Sequence, residues 1–256
     1  MKYVDLNCDL GESFGAYTIG LDSEILPHIT SANVACGYHA GDPAVMEKTC
    51  KAAAKAGISI GAHPGYPDLM GFGRRNMAVS PEEAYGYILY QLGALSAFAK
   101  AAGTRLAHVK PHGAFYNMAG KDPALAEAIA QAIRDFDPSL ILLGLSGSAM
   151  LTQGEALGLK CAKEVFADRA YNEDGSLVNR RLPGAMITDE DEAIRRVLGM
   201  VQKGEVQAIT GKMIPIQADS ICVHGDNAKA LAFVLKIRAA LENAGIGLAP
   251  LVKIVG

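Results

Sequence analysis

The chain has 256 residues, half of them hydrophobic and a fifth charged, with a formal net charge of −3. That length suits one α/β domain spanning 1–256, and the composition is that of an ordinary globular enzyme. The slight acidic excess, with no basic block, argues against nucleic acid and against electrostatic attachment to a membrane, and no apolar run approaches the length of a span.

Five cysteines at 8, 36, 50, 161 and 222 include no Cys-x-x-Cys pair. A scattered, odd set argues against a disulfide framework or a structural zinc site. Met1-Lys2-Tyr3-Val4-Asp5 enters a strand at once, without the apolar region of a signal peptide, so a cytoplasmic enzyme is the expectation.

Short β-rich runs fall at 2–7, 29–35, 58–62, 105–110, 140–144, 160–166, and 206–209 with 214–223. Helical stretches alternate with them. Asp42-Pro43 opens one that stops at Gly57, and Ser80-Pro81-Glu82-Glu83 opens a long one to about Gly103. Asp122-Pro123 opens a third, to about Arg134, and a shorter fourth runs from Ser148 to Leu157. Thr188-Asp189-Glu190 opens a fifth, to Gly204, and Asp226-Asn227 a sixth, to Gly245. Alternation of this kind implies right-handed crossovers and a parallel sheet. About seven units fit, so a closed seven-stranded (β/α) barrel is the first expectation and an open doubly wound sheet the second.

Histidine and acidic residues gather where the strand-like runs end, and in such barrels those ends form one active rim. Alternation puts Asp5, Asn7 and Asp9 on one face of the first strand. Polar groups pointing into a barrel need partners or a ligand, and a carboxylate there can be a general base. His39 and His63 end the next two strands. With Asp9 they could form an Asp-His-His site for a divalent metal; without a metal they would bind or protonate substrate. Lys110, His112 and Glu164 end later strands, and Lys110 can balance a carboxylate or a phosphate. His108 is expected to be buried and structural.

Two long loops hang over the same rim, 65–76 and 168–183, and loops of that length are often lids or binding loops. Arg74 and Arg75 on the first, and Arg169 on the second, could clamp an anion. His224-Gly225-Asp226 completes the ring, with Asp226 serving as a helix cap. Ser146-Gly147-Ser148 opens a helix after a strand and can offer N–H groups to an anion, although no P-loop or dinucleotide-binding glycine pattern is present. Cys8, Cys36 and Cys222 near the rim are read as buried packing residues rather than nucleophiles.

Taken together, Asp5 to Gly15, Ser31 to Pro43, Gly61 to Arg75, Val109 to Asn117, Glu164 to Tyr171 and Ile221 to Asn227 resemble the LamB/YcsF family, nearly end to end and in the same order. The resemblance implies a seven-stranded barrel akin to polysaccharide deacetylases. It implies ATP-driven hydrolysis of 5-oxoproline to L-glutamate by the A subunit of a 5-oxoprolinase that also has B and C subunits, with magnesium accompanying ATP. Those deacetylases use an Asp-His-His metal site, whereas this chain has Asn7 and Asp9 in place of two adjacent aspartates. Within the shared motifs the catalytic candidates are Asp9, His39, His63, Lys110 and Glu164. The binding candidates are Asn7, Arg74, Arg75, His112, Arg169 and His224. Two rival readings remain: a metal-dependent amide hydrolase or deacetylase needing no ATP, and a non-catalytic member of the complex.

Overall fold

Strand β1, Lys2–Leu10, shows how this barrel is filled. Val4, Leu6, Cys8 and Leu10 are buried and join the apolar core, while Asp5 and Asn7 between them are equally buried. Both faces are covered, as in parallel sheets generally, but here one face is polar.

The computed structural model describes residues 2–223 and 228–256. After β1 come α1 (Asp22–Ile25), β2 (Ser31–Ala35), α2 (Pro43–Ala56), β3 (Ser59–His63), α3 (Pro81–Ala101) and β4 (Leu106–Val109). Then follow α4 (Gly113–Ala119), α5 (Pro123–Phe136), β5 (Ile141–Leu145), α6 (Ala149–Ala156), β6 (Lys160–Phe166) and α7 (Glu190–Leu198). The chain ends with β7 (Glu205–Gln207), β8 (Met213–Pro215), β9 (Ser220–Val223), α8 (Ala228–Asn243), β10 (Ile246–Leu248) and α9 (Leu251–Ile254). Strands pair in parallel in the order β1-β2-β3-β4-β5-β6-β9, and β9 pairs back to β1, which closes a seven-stranded barrel. The open doubly wound sheet is thereby excluded. Among the described residues, no helix is long and apolar enough to cross a membrane.

The helix starts follow their caps. Asp42 accepts from the Val45 amide at 2.9 Å, Ser80 and Glu83 form a reciprocal capping box, and Asp122 and Asp189 cap α5 and α7. Gly57 ends α2 in the left-handed region, at φ 70°. The cap expected from Asp226 lies outside the described residues.

One expected strand is corrected. Residues 206–209 and 214–223 do not make a single barrel unit: β7 and β8 form a separate antiparallel hairpin, and the barrel strand begins only at Ser220. The apolar alternation of Val206, Ile214 and Ile216 is common to hairpin and barrel strands. Gly211, at φ 92°, reverses the chain between them. The short strand β10 is an addition to the expected elements; it pairs with Lys2–Val4, on the far side of β1 from the closure.

Both long loops are tied down. In the first, Gly73 donates to the Asp68 carbonyl at 2.9 Å, and the Ala114 amide donates to the Gly73 carbonyl at 2.9 Å. In the second, Ala170 pairs with Ala185 and Val178, and these three make a small apolar core of their own.

Candidate active site

Register stacks the polar residues of the barrel in layers. Asn7 lies opposite Ser31, Asp9 opposite Asn33, and Glu164 opposite Ser220. At the bottom, the Asp5 carboxylate accepts from Thr30 and Ser31, each at 2.6 Å, and from Ser220. One layer up, Asn7 Nδ2 donates to Ser220 at 2.7 Å and to Glu164 at 3.1 Å. Asn33 Nδ2 donates to Asn7 at 2.7 Å and to Asp9 at 2.8 Å, and His108 Nε2 meets Asn33 Oδ1 at 2.7 Å. Asn33 Oδ1 can only accept, so His108 carries its proton on Nε2. Burial, then Lys110 nearby, lowers His108 to about 3, so it stays neutral. It is structural, as expected. Gly61 makes room for it, because a Cβ there would stand 2.0 Å from His108 Nε2.

Asp5 shows what this burial costs. Desolvation raises its carboxyl from 3.8 to about 6, although hydrogen bonds from Ser220, Ser31 and Thr30 oppose the shift. The folded state therefore holds that proton more tightly than the unfolded chain. Its ionisation opposes folding, fully so above pH 6 and not at all below the ordinary value. Asp5→Asn is expected to raise the melting temperature at pH 8, by an increment corresponding to at most ~3 kcal/mol, and to give no gain at pH 4. The serine and threonine hydroxyls can rotate to accept from the new amide. Melting curves at the two pH values check this, and an equal change at both would mean packing rather than ionisation.

At the rim, Lys110 Nζ lies 2.9 Å from Asp9 Oδ1, 2.8 Å from Glu164 Oε1 and 3.3 Å from Asn7 Oδ1. Burial alone would lower its pKa, but Asp9 and Glu164 outweigh that and hold the ammonium well above its usual range. Glu164 is completed by Tyr116, whose Oη donates to Oε2 at 2.6 Å.

A histidine cluster adjoins this group. His63 Nε2 lies 3.2 Å from Asp9 Oδ2 and 2.9 Å from His112 Nδ1. His39 stacks on His112, with ring centres 3.7 Å apart, and its Nε2 lies 3.3 Å from Glu12 Oε1. Burial, then the neighbouring imidazoles, hold His39 and His112 well below the usual histidine range. Phe72 sits at φ 53°, a left-handed conformation rare for a bulky residue, and its carbonyl meets His112 Nε2 at 2.9 Å. Among the described residues, Glu12, His39, His63 and His112 are the one group able to hold a metal, with donor atoms all within 4.8 Å of one another.

A cavity of about 1250 Å³ opens over these residues. Asp9, Glu12, His63, Lys110 and His112 line its floor, and Arg74, Arg169 and the Ser146–Ser148 turn line its wall. His39 and Glu164 lie behind this lining, and Asn7 beneath it, all three fully buried. His224 lies outside the described residues.

Arg75 also lines the cavity, with most of its side chain exposed. Its Nε and Nη2 donate to Asp68, a nearly fully buried carboxylate of the same loop, so the arginine also pins the loop. Arg169 is buried and donates to the Val178 carbonyl at 2.6 Å, which leaves its buried Nε without a partner among the described residues. Burial, then Arg180, lowers it to about 10. The cysteines near the rim are buried and their thiols pushed up, which suits packing rather than nucleophilic attack.

Glu12 and Tyr116 are site residues that sequence reasoning missed. Glu12 stands in the Asp-Leu-Gly-Glu run, three residues past Asp9, and that spacing is its only signal. Tyr116 rides on α4, whose N-cap His112 makes no side-chain capping bond, so nothing announces the helix.

Comparison with known proteins agrees with the fold. The model of the LamB/YcsF family matches residues 4–256. The 5-oxoprolinase A subunit of Clostridium beijerinckii is 61% identical over 254 residues, covering 99% of this chain and 100% of that one. The solved structure of a lactam utilization protein from Thermus thermophilus superposes with a TM-score of 0.91 at 48% identity, covering 97% of this chain and 99% of that one. A family 4 carbohydrate esterase from Streptomyces lividans superposes with a TM-score of 0.51 at 14% identity, covering 96% and 91%, and so shares the barrel alone.

Proposed function

Since the chain belongs to the LamB/YcsF family, we propose that it is the A subunit of an ATP-driven 5-oxoprolinase, opening 5-oxoproline to L-glutamate together with B and C subunits. The observation that carries this reading is the near end-to-end identity, about three residues in five, with a relative named as the A subunit of 5-oxoprolinase.

The cavity has the groups such a reaction needs. A five-membered lactam is a resonance-stabilised amide whose carbonyl is a poor electrophile. Transfer of the γ-phosphoryl group of magnesium-ATP to the lactam oxygen releases ADP and makes C5 open to water. Water adds to C5, the C–N bond breaks with protonation of nitrogen, and γ-glutamyl phosphate results. A second water cleaves that acyl phosphate to glutamate and inorganic phosphate. Phosphoryl transfer is mostly positioning and charge stabilisation. Arg74 and Arg169 supply positive charge on the cavity wall. The turn before α6 offers the buried Ser148 Oγ, which has no partner among the described residues, whereas the N–H groups of Ser146, Ser148 and Ala149, expected to face an anion, are taken by the Glu164, Leu145 and Gly120 carbonyls. Asp9, between Lys110 and His63, is placed to take the proton of attacking water.

The test mixes the purified chain with its B and C partners and follows glutamate release from 5-oxoproline. Release is expected only when ATP and all three subunits are present. ATP-independent turnover by the lone chain would make it a simple amide hydrolase, and full activity without this chain would make it a scaffold.

A further inference from the structure

The histidine cluster aims several proton-accepting atoms at one point, all within 4.8 Å of one another. His63 Nδ1 lies 2.7 Å from the Lys110 carbonyl, and His112 Nε2 lies 2.9 Å from the Phe72 carbonyl. A carbonyl only accepts, so each of these nitrogens carries the ring proton. In neutral rings the other two nitrogens, His63 Nε2 and His112 Nδ1, are then bare, and they face each other at 2.9 Å. Two lone pairs at that separation repel. A proton on His63 Nε2 would relieve that pair and meet Asp9 Oδ2 at 3.2 Å, yet Glu12 Oε1 also converges there, 3.4 Å from His112 Nδ1 and 3.3 Å from His39 Nε2, so the centre stays rich in acceptors.

We propose that Glu12, His39, His63 and His112 bind one divalent transition-metal ion of the zinc class. Three imidazoles and a carboxylate, with no thiolate, are the donor set such an ion prefers. Bonds of about 2.0–2.1 Å put neighbouring donors of a tetrahedral site about 3.3 Å apart. Three of the donor pairs already stand at 2.9, 3.3 and 3.4 Å. The two carbonyl acceptors are the outer partners that fix tautomer and ring orientation in metal-binding histidines.

The rings are also clamped. A Cβ on Gly65 would meet His39 Nδ1 at 2.5 Å, and one on Gly73 would meet both His39 and His112 at 2.8 Å, so two bare backbones hold the stack. Glu12, His63 and His112 line the cavity, which gives an ion a path in and leaves room for a further ligand.

This donor set differs from the Asp9-His39-His63 set expected from sequence. Asp9 Oδ1 is engaged by Lys110 and Asn33, and its Oδ2 only borders the cluster through His63. The proposal stands apart from the lactam reading, because it is read by binding and not by turnover.

The full chain, stripped with a chelator and dialysed, is titrated with zinc by calorimetry and with cobalt(II) by visible absorption. One equivalent per chain and the visible bands of low-coordinate cobalt are expected. Glu12→Gln and His112→Ala should each weaken zinc binding at least tenfold, and His28→Ala should not. Circular dichroism confirms that each variant is folded, and Glu12→Gln, a near-isostere at a partly exposed position, keeps the test open should His112→Ala fail to fold. No saturable zinc binding by the native chain, or unchanged binding by folded Glu12→Gln and His112→Ala, overturns the proposal. Either outcome leaves ATP-dependent glutamate release free to succeed or fail by itself.

Discussion

Lys110→Met is expected to cost about 3–5 kcal/mol of folding free energy, because it leaves a buried carboxylate without its cation. Lys110 is buried between Asp9 and Glu164, and Glu164 is wholly removed from solvent. The lysine's folded pKa is raised, so its contribution is complete below the ordinary value of 10.5 and fades only as pH climbs through the folded value. Across neutral pH the native protein's side of the comparison is therefore flat. In the variant, two carboxylates remain close together without a cation, and protonating them relieves the penalty. The gap between the two proteins should narrow toward pH 5 and widen toward pH 8, which urea melts at both values will register.

A second variant separates support from chemistry. Lys110→Met/Glu164→Gln removes a buried charge of each sign and should recover part of the lost stability, since paired removal is far cheaper than single removal. If Lys110 serves only to hold the barrel, turnover by the reconstituted complex should return with stability. If its ammonium acts on the substrate or phosphate, turnover should stay down at least tenfold while the melting temperature recovers.

The rim is legible in the sequence because strand ends are. Asp9, His39, His63, Lys110 and His112 each lie at or shortly past the end of a strand, and a parallel barrel carries all such ends to one side, whereas Glu164 lies within β6, two residues short of its end. The filling of the barrel is half legible. Alternation along β1 puts Asp5, Asn7 and Asp9 on one face, but only register can show that Asn33 bridges Asn7 and Asp9.

Glu12 is hidden by local geometry. It lies beyond the end of β1, where period-two reasoning stops, and Gly11 at φ 69° turns the chain there. Arg75 is half legible for the opposite reason. Its charge is visible, but its partner Asp68 lies seven residues away in a loop with no periodicity to bring the two together. The hairpin of β7 and β8 passes for part of a barrel strand because hydrophobic alternation records burial and not pairing direction.

Asp9→Asn should lower turnover of the reconstituted complex by roughly 100-fold or more while leaving the fold intact, the scale expected when a positioned general base is lost. Asparagine is nearly isosteric, and its Oδ1 can keep the bonds from Asn33 Nδ2 at 2.8 Å and Lys110 Nζ at 2.9 Å. Its amide would take the place of Asp9 Oδ2, 3.2 Å from His63 Nε2. What disappears is the ability to take a proton. The loss should therefore fall on kcat, with KM for 5-oxoproline and the melting temperature little changed. Asp9→Ala is the contrasting case, because it also strips Lys110 and Asn33 of an acceptor and should lower stability as well as rate. Loss of kcat in Asp9→Asn at unchanged stability places Asp9 on the reacting atoms. Equal falls in stability and rate for both variants would make it a strut of the polar core, and the base would then have to be sought elsewhere on the cavity floor.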